Sequence, residues 1–458
     1  MAALSSIRAP DDRLFQTDFP PEEFRERRGR IFDTIAPKAH ALLQGAPPVR
    51  GFRIFRQTND FYYCSGVEAP QAYLLMRGAD RTTRLYLPHR PEGQSAEGAR
   101  LSAEDADLIE KVAGVDGVHG LESLSEHLQE AAVVYTPHMP AELEQGSRDE
   151  LLRTNQIVAA DPWDARPARE QHFIGLLRSR FPAIEIRDLS PVLDALRAVK
   201  SPGEIELLRS AGRLSALAVI EAMRATRPGM FEYQLGALAN CIYLAHGARG
   251  EGYRSIIASG GNAWYGHYFR NDSVMADGDL VLMDTAPDFR YYTSDIGRMW
   301  PVNGVYALSQ RELYGFMVQY HKALLRRIRL GVTADQIMDE AAAEMEKVVN
   351  GTPFSKPIYQ QAAQRALKFR GHLSHPVGMA VHDVGRYNPG ALQPGAVFAV
   401  DPQMRVPEEM LYIRVEDTVV VTVDGIENLT SDAPLELDDV EAHMREPGLL
   451  QAFPPVFP

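Results

Sequence analysis

Cysteine is nearly absent: the 458 residues contain two, Cys64 and Cys241. Each sits in an apolar stretch, which excludes a disulfide framework and fits a reducing compartment. Basic charge is also short. Lys and Arg number 48 against 61 Asp and Glu, a net charge of -13, and no Lys/Arg-rich stripe interrupts that balance, so no nucleic-acid partner is expected. Long apolar runs are missing too, since no window approaches the roughly 18 to 20 apolar residues of a membrane span. The opening stretch MAALSSIRAPDDRLFQTDFPPEEF carries acids early and lacks an apolar core, so it does not read as a secretory signal. There is no short-period repeat and no low-complexity tract. These absences point to a cytoplasmic protein that engages neither membrane nor nucleic acid.

The length exceeds one ordinary domain, so two are expected, with a boundary near residue 195. Upstream, apolar and polar segments such as Tyr73-Leu-Leu-Met and Thr83-Arg-Leu-Tyr-Leu alternate with helical stretches around 104–113, 122–131 and 165–181. That is an α/β pattern. At Lys200-Ser-Pro-Gly-Glu204 the pattern changes: Ser201 caps a helix, Pro202 suits its first position and Glu204 completes a capping box. The helix runs to about Ala225, and a second runs to about Ala245. Residues 253–303 read as strands, Ser309 and Thr333 each begin a helix by the same box rule, and residues 395–430 return to strand. The second domain is therefore α+β, with helices packed on an antiparallel sheet. The tail Gln451-Ala-Phe-Pro-Pro-Val-Phe-Pro reads as disordered rather than docked.

Two aspartates eleven residues apart, Asp284 and Asp295, carry the most chemical information. Asp279-Leu-Val-Leu-Met-Asp284 is an apolar run ending in a carboxylate, Pro287-Asp288 is turn chemistry, and Tyr291-Tyr-Thr-Ser-Asp295-Ile is again strand-like. A hairpin with its midpoint between Phe289 and Arg290 sets the two aspartates opposite each other, with Cβ atoms roughly 5 Å apart. Like charges that close need a cation, or one of them holds a proton. Val397-Phe-Ala-Val-Asp401-Pro repeats the logic of a strand ending in a carboxylate. Leu411-Tyr-Ile-Arg-Val-Glu-Asp-Thr is a strand whose period of two puts Tyr412, Arg414, Glu416 and Thr418 on one face; a solvated face would look the same. Gly371–Gly385 holds three histidines, His372, His375 and His382, among glycines.

Together Asp284, Asp295, His375, Asp401 and Glu416 make an oxygen-rich set with one imidazole. Such a set suits a pair of divalent ions such as manganese, zinc, cobalt or iron(II) and not a soft thiolate site. Two such ions can polarise a scissile carbonyl and activate water, so amide hydrolysis is the natural reaction. His267 and His382 are not needed as ligands, and they remain free to stabilise an oxyanion or move protons.

Five motifs in order resemble the pita-bread metallopeptidases. They are Gly252-Tyr253-Arg-Ser-Ile-Ile-Ala-Ser-Gly with Gly266-His267-Tyr268, then Asp284 through Asp295-Ile-Gly-Arg298, then Ser374-His375, then Val381-His382-Asp383, and last Ile413-Arg414-Val-Glu416-Asp417. The stretch from Phe55 to Gly66 resembles the creatinase-like N-terminal domain of Xaa-Pro aminopeptidases (aminopeptidase P). The resemblance covers about residues 50 to 430. It implies a pita-bread catalytic domain over 196–458 behind a smaller α/β creatinase-like domain over 1–195. It also implies removal of an N-terminal residue that precedes proline, with short peptides as partners. In that pattern Asp284, Asp295, His375, Asp401 and Glu416 are metal ligands, Asp295 and Glu416 bridge, and manganese is the first choice of metal. His267 and His382 contact substrate, with Tyr253 and Arg414 near the pocket, and dimers or tetramers are common.

Three departures accompany the matches. Asp401-Pro402-Gln403 stands where the family usually has glutamate followed by Pro-Gly, so the fifth ligand, which is also the expected proton acceptor, is one methylene short. Gly371-His372 stands where His-Gly is common, and Pro376 replaces a bulky residue; both changes are expected to lie beside the substrate. Two alternatives follow: a family member with impaired hydrolysis that binds peptides or small molecules, or a prolidase-like dipeptidase. A metal-free amidinohydrolase fits poorly, because Asp284, Asp295, His375 and Glu416 are all retained.

Overall fold

The computed structural model describes residues 15–49, 51–90, 100–387 and 390–452. The proline-rich end from 453 onward and the first 14 residues, both interpreted above, lie outside the described residues. The chain forms two compact units, Met1–Arg197 and Ala198–Pro458.

In the first unit, β1 (His40–Gln44), β2 (Tyr73–Arg77), β3 (Thr82–Leu87), β4 (Gly117–Gly120), β5 (Val133–Thr136) and β6 (Glu185–Asp188) form one sheet in the order β4-β3-β2-β1-β5-β6. The β1/β2 and β2/β3 pairs are antiparallel and the other three are parallel. The anticipated helices are present as Ala106–Ala113, Leu124–Gln129 and Arg169–Arg180. Pro21–Thr34 and Arg148–Ala160 are helices that the apolar pattern does not announce. The first buries Arg27 and Arg28 within the face formed by Phe24, Ile31 and Phe32, so arginines interrupt its apolar stripe, and the second buries only Arg148. Arg28 is accommodated because it donates to the carbonyls of Cys64 (2.8 Å) and Ala113 (3.2 Å). Cys64 is buried and its thiol is pushed up to about 12 by that burial, whereas Cys241 is exposed despite its apolar neighbours in sequence.

The second unit is a pita-bread fold built on a seven-stranded sheet. Its strands are β7 (Ile256–Ser259), β8 (Leu280–Asp284), β9 (Ile296–Pro301), β10 (Leu373–Pro376), β11 (Val397–Val400), β14 (Glu416–Thr422) and β15 (Gly425–Asn428). The order is β10-β11-β14-β9-β8-β7, with β15 also on β14, and every pair is antiparallel. A separate ribbon pairs β12 (Gln403–Val406) with β13 (Leu411–Arg414). Helices Pro202–Ala225, Glu232–Ala245, Leu308–Leu325, Ala334–Gly351 and Pro357–Lys368 share one apolar core with the sheet, through residues such as Val219, Leu238, Met283, Trp300, Met317, Met345 and Phe398. Ser201 Oγ accepts from Glu204 N at 3.3 Å and Glu204 Oε2 from Ser201 N at 2.9 Å, which is the expected capping box. Thr333 caps its helix in the same way. The helix expected from Ser309 starts one residue earlier, because Gln310 Oε1 accepts from Ala307 N at 2.9 Å, while Glu312 is engaged by Ser355.

Two differences from the sequence reading bear on the site. The hairpin register is shifted by two: Asp284 faces Gly297, not Asp295. The turn lies at Arg290-Tyr291, both at positive φ (54° and 76°), between the bridged pair Phe289 and Tyr292. That is the two-residue geometry that matches strand twist, adopted here without glycine. Pro287-Asp288 does not turn the chain; it pairs outward with Gly250 and Glu251. Asp295 is thus two residues from the position opposite Asp284 and remains on the same face. The stretch 411–422 is likewise not one strand in one sheet, since it passes from the ribbon to the main sheet at Val415.

Candidate metal centre

Four strand ends deliver the acidic groups and one bulged strand delivers the imidazole. Asp284 closes β8, Asp295 immediately precedes β9, Asp401 follows β11, Glu416 opens β14 and His375 lies on β10. Gly297 makes room for them. It pairs with Asp284 on one side and Glu416 on the other, and a Cβ there would lie 3.1 Å from Glu416 Oε2. All four carboxylates are buried, between 0% and 5% exposed.

Asp295, His375 and Glu416 each offer a ligand atom within 4.8 Å of the others, and His375 Nε2 is 3.3 Å from Asp295 Oδ2. Asp284 joins them through the Tyr253 hydroxyl, which lies 2.5 Å from Asp284 Oδ1 and 2.8 Å from Asp295 Oδ1. Asp401 joins through Arg414. That guanidinium donates from Nε to Asp401 Oδ1 (2.7 Å), from Nη1 to Asp284 Oδ2 (2.7 Å) and from Nη2 to Glu416 Oε2. Arg414 was expected at the substrate pocket; it stands here as counter-ion to three of the five predicted ligands.

One guanidinium does not balance four carboxylates. Burial, with Asp295 nearby, pushes Asp284 up to about 7 against the pull of Arg414. Burial likewise raises Asp401 and drives Glu416 well above the carboxylate range. Asp295 goes the other way: although burial opposes it, its hydrogen bond to His375 holds it below its usual value, and the same contact raises His375. Two like-charged carboxylates in one dry pocket thus differ in proton affinity, with Asp295 the ionised member. Glu416 Oε1 is buried and accepts no hydrogen bond among the described residues. A buried unpaired carboxylate oxygen beside an imidazole and further carboxylates is what a divalent ion would complete, so the donor set fits such a group.

A second layer holds the ligands in place. Arg298 donates to the Glu416 carbonyl (2.6 Å) and to Asp417 Oδ1 (2.7 Å), and Asp417 also takes His321 Nε2 (2.7 Å) and Thr430 Oγ1 (2.6 Å). Thr418 Oγ1 exchanges hydrogen bonds with the Asp295 backbone at 2.7 and 2.9 Å. His382 lies beside the cluster, its ring centroid 4.2 Å from that of His375 and 5.8 Å from that of exposed His267. The loop carrying His382 is tied down by a buried pair, Lys200 Nζ to Asp383 Oδ2 at 2.9 Å. The side chain of His372 faces the core, although its backbone carbonyl accepts from Asp401 N at 2.7 Å. It is fully buried against Tyr320 and Phe369, its Nε2 is 2.7 Å from the Ala366 carbonyl, and burial pushes it down to about 4. The Arg298, Asp417 and His321 network and the Lys200 to Asp383 pair escaped sequence reasoning. Arg298, Asp383 and Asp417 stand within the motifs quoted above, but no sequence signal pairs them with His321 or Lys200.

The sequence profile of metallopeptidase family M24 matches residues 206–423, and that of the aminopeptidase P N-terminal domain matches residues 24–136. The Xaa-Pro aminopeptidase of Escherichia coli strain K12 is 33% identical over 449 residues, covering 92% of this chain and 97% of the relative. That of Haemophilus influenzae is 30% identical over 453 residues, covering 93% and 98%. The structure of aminopeptidase P from E. coli with the inhibitor Pro-Leu superposes with a TM-score of 0.74 at 29% identity, covering 93% of this chain and 98% of that one. The chain belongs to metallopeptidase family M24. Membership and the triad of Asp295, His375 and Glu416 together indicate a divalent metal. No helix among the described residues is long and apolar enough to cross a membrane.

Proposed function

We propose that this chain is a dimetal Xaa-Pro aminopeptidase, which removes the N-terminal residue preceding proline from short peptides. The observation that carries the reading is the excess of buried carboxylate around one guanidinium, with the unpaired Glu416 Oε1 at its centre. The full-length similarity to relatives named Xaa-Pro aminopeptidase supports the proline preference. Asp284, Asp295, His375, Asp401 and Glu416 would hold the ions, manganese first in order. Bound there, the ions would supply Lewis acidity at the scissile carbonyl and the attacking water. Tyr253 and Arg414 would orient the carboxylates, Asp401 would accept a proton, and His382 and His267 would contact the substrate and relay protons. Residues 1–195 act in this reading as the aminopeptidase P-like N-terminal domain and 196–458 as the catalytic domain. A cytoplasmic homodimer or tetramer is the form we assign.

The contact of Asp401 with Arg414 Nε favours a second reading, in which the shorter acid is retained by arginine and the protein binds peptides without efficient turnover. Protein purified without chelator is analysed for metal and assayed on Xaa-Pro peptides with added manganese. Hydrolysis that chelator abolishes and manganese restores supports the peptidase. Tight peptide binding by metal-loaded protein with no turnover rejects it in favour of the second reading.

A further inference from the structure

A second arginine lies on the ribbon face that presents Arg414. Antiparallel pairing sets Gln403 opposite Arg414 and Arg405 opposite Tyr412, so Arg405 stands two residues, roughly 7 Å, outward from the carboxylate cluster along the strand. Its guanidinium is clamped between two rings, 4.5 Å from the centroid of Tyr412 and 5.1 Å from that of Trp264. Nη1 donates to the Trp264 carbonyl at 3.0 Å. A Cβ added to Gly266 would lie 3.8 Å from Nη2, so this nitrogen faces the loop that leads directly into His267. Arg405 makes no ion pair among the described residues, although the chain carries an excess of acids. Stacking on two rings leaves the edge of a guanidinium open and pre-oriented for a planar anion.

We infer that Arg405 binds a peptide carboxylate at the second residue beyond the scissile bond. This rests on the peptidase reading above. An extended peptide advances about 3.3 Å per residue, so proline and one further residue span the interval from the cluster to Arg405. A tripeptide then ends with its C-terminal carboxylate at the guanidinium, and an acidic side chain at that residue presents the same chemistry.

The test uses metal-loaded protein and the dipeptides Pro-Ala, Pro-Ala-amide and Pro-Asp-amide, which stand for the part of a substrate beyond the scissile bond and need no turnover. Calorimetry on the wild type should give at least tenfold tighter binding of Pro-Ala than of its amide. Arg405→Met should bring that ratio to about one, and Arg405→Lys should keep part of it. Because the ratio is taken within each protein, a general loosening of the Trp264 loop does not move it. Tight binding of Pro-Asp-amide assigns the site to side-chain as well as terminal carboxylates; weak binding restricts it to the terminus. A wild-type ratio below two, a ratio that survives Arg405→Met, or no binding of either alanine dipeptide overturns the inference. Cleavage of Ala-Pro-Ala is scored separately, so loss of the peptidase reading is not confused with loss of this one.

Discussion

Replacing Gly297 by alanine tests the packing of the carboxylate cluster directly. The added Cβ would lie 3.1 Å from both Cβ and Oε2 of Glu416 and 3.7 Å from Arg414 Nε, a few tenths of an ångström inside ordinary contact. Glu416 cannot swing away. It is fully buried, Arg414 holds its Oε2 and Arg298 holds its carbonyl. Overpacking of this kind costs about 1–3 kcal/mol, offset by about 0.5–1 kcal/mol from the smaller backbone entropy loss of alanine in a strand. The net loss of fold stability is therefore modest, about 0–2.5 kcal/mol on those two principles. Metal affinity should suffer more, because ligand positions are tolerated only within about 0.2 Å and disturbed supporting contacts typically lower affinity about 10- to 100-fold. Calorimetric titration with manganese and thermal unfolding in chelator measure the two effects separately. Wild-type manganese affinity in a folded Gly297→Ala protein would refute the claim that this glycine creates the space for Glu416.

Metal binding should release protons, and more at pH 6 than at pH 8, because Asp284 is pushed up to about 7 from 3.8; titration in buffers of different ionisation enthalpy reads this directly. The same raised value means that, in metal-free protein, the contribution of Asp284 to stability is full below about 4 and fades as pH rises through 7. Asp401→Glu restores the missing methylene and should raise both manganese affinity and Xaa-Pro turnover; a metal-binding variant with no gain in either refutes the ligand-length argument. Lys200→Met removes the ammonium that lies 2.9 Å from the buried Asp383 carboxylate, and urea unfolding should show a loss of about 3–5 kcal/mol. A loss under about 1 kcal/mol would mean that the carboxylate finds water.

Much of this site could be read directly from residues. Asp284 and Asp401 announce themselves as acids at the ends of apolar strands, Glu416 stands out by alternation along its strand, and the helix from Pro202 is delimited by its own cap. What failed was register and partnership. The turn at Arg290-Tyr291 uses left-handed backbone without glycine or asparagine, so the local chemistry pointed instead to Pro287-Asp288, and the hairpin closed one residue too early. His372 was misplaced for a different reason. Three histidines within eleven residues among glycines look functional as a group, and only the packing of Tyr320 and Phe369 reveals His372 as a core residue. Period two assigns Arg414 to the correct face together with Glu416, but its other two carboxylate partners, Asp401 and Asp284, come from segments 13 and 130 residues away. Alternation along one strand carries no information about such partners.

The joint at Val415 lets one continuous stretch serve two sheets, and this ties two properties of the protein to a single lever. Arg405 and Arg414 ride on the same small ribbon, so a tilt of that ribbon alters the reach toward a bound peptide and the neutralisation of the acids together. Substitutions in Gln403–Val406 or Leu411–Arg414 that tilt the ribbon should therefore shift peptide-length preference and the pH response of the centre together.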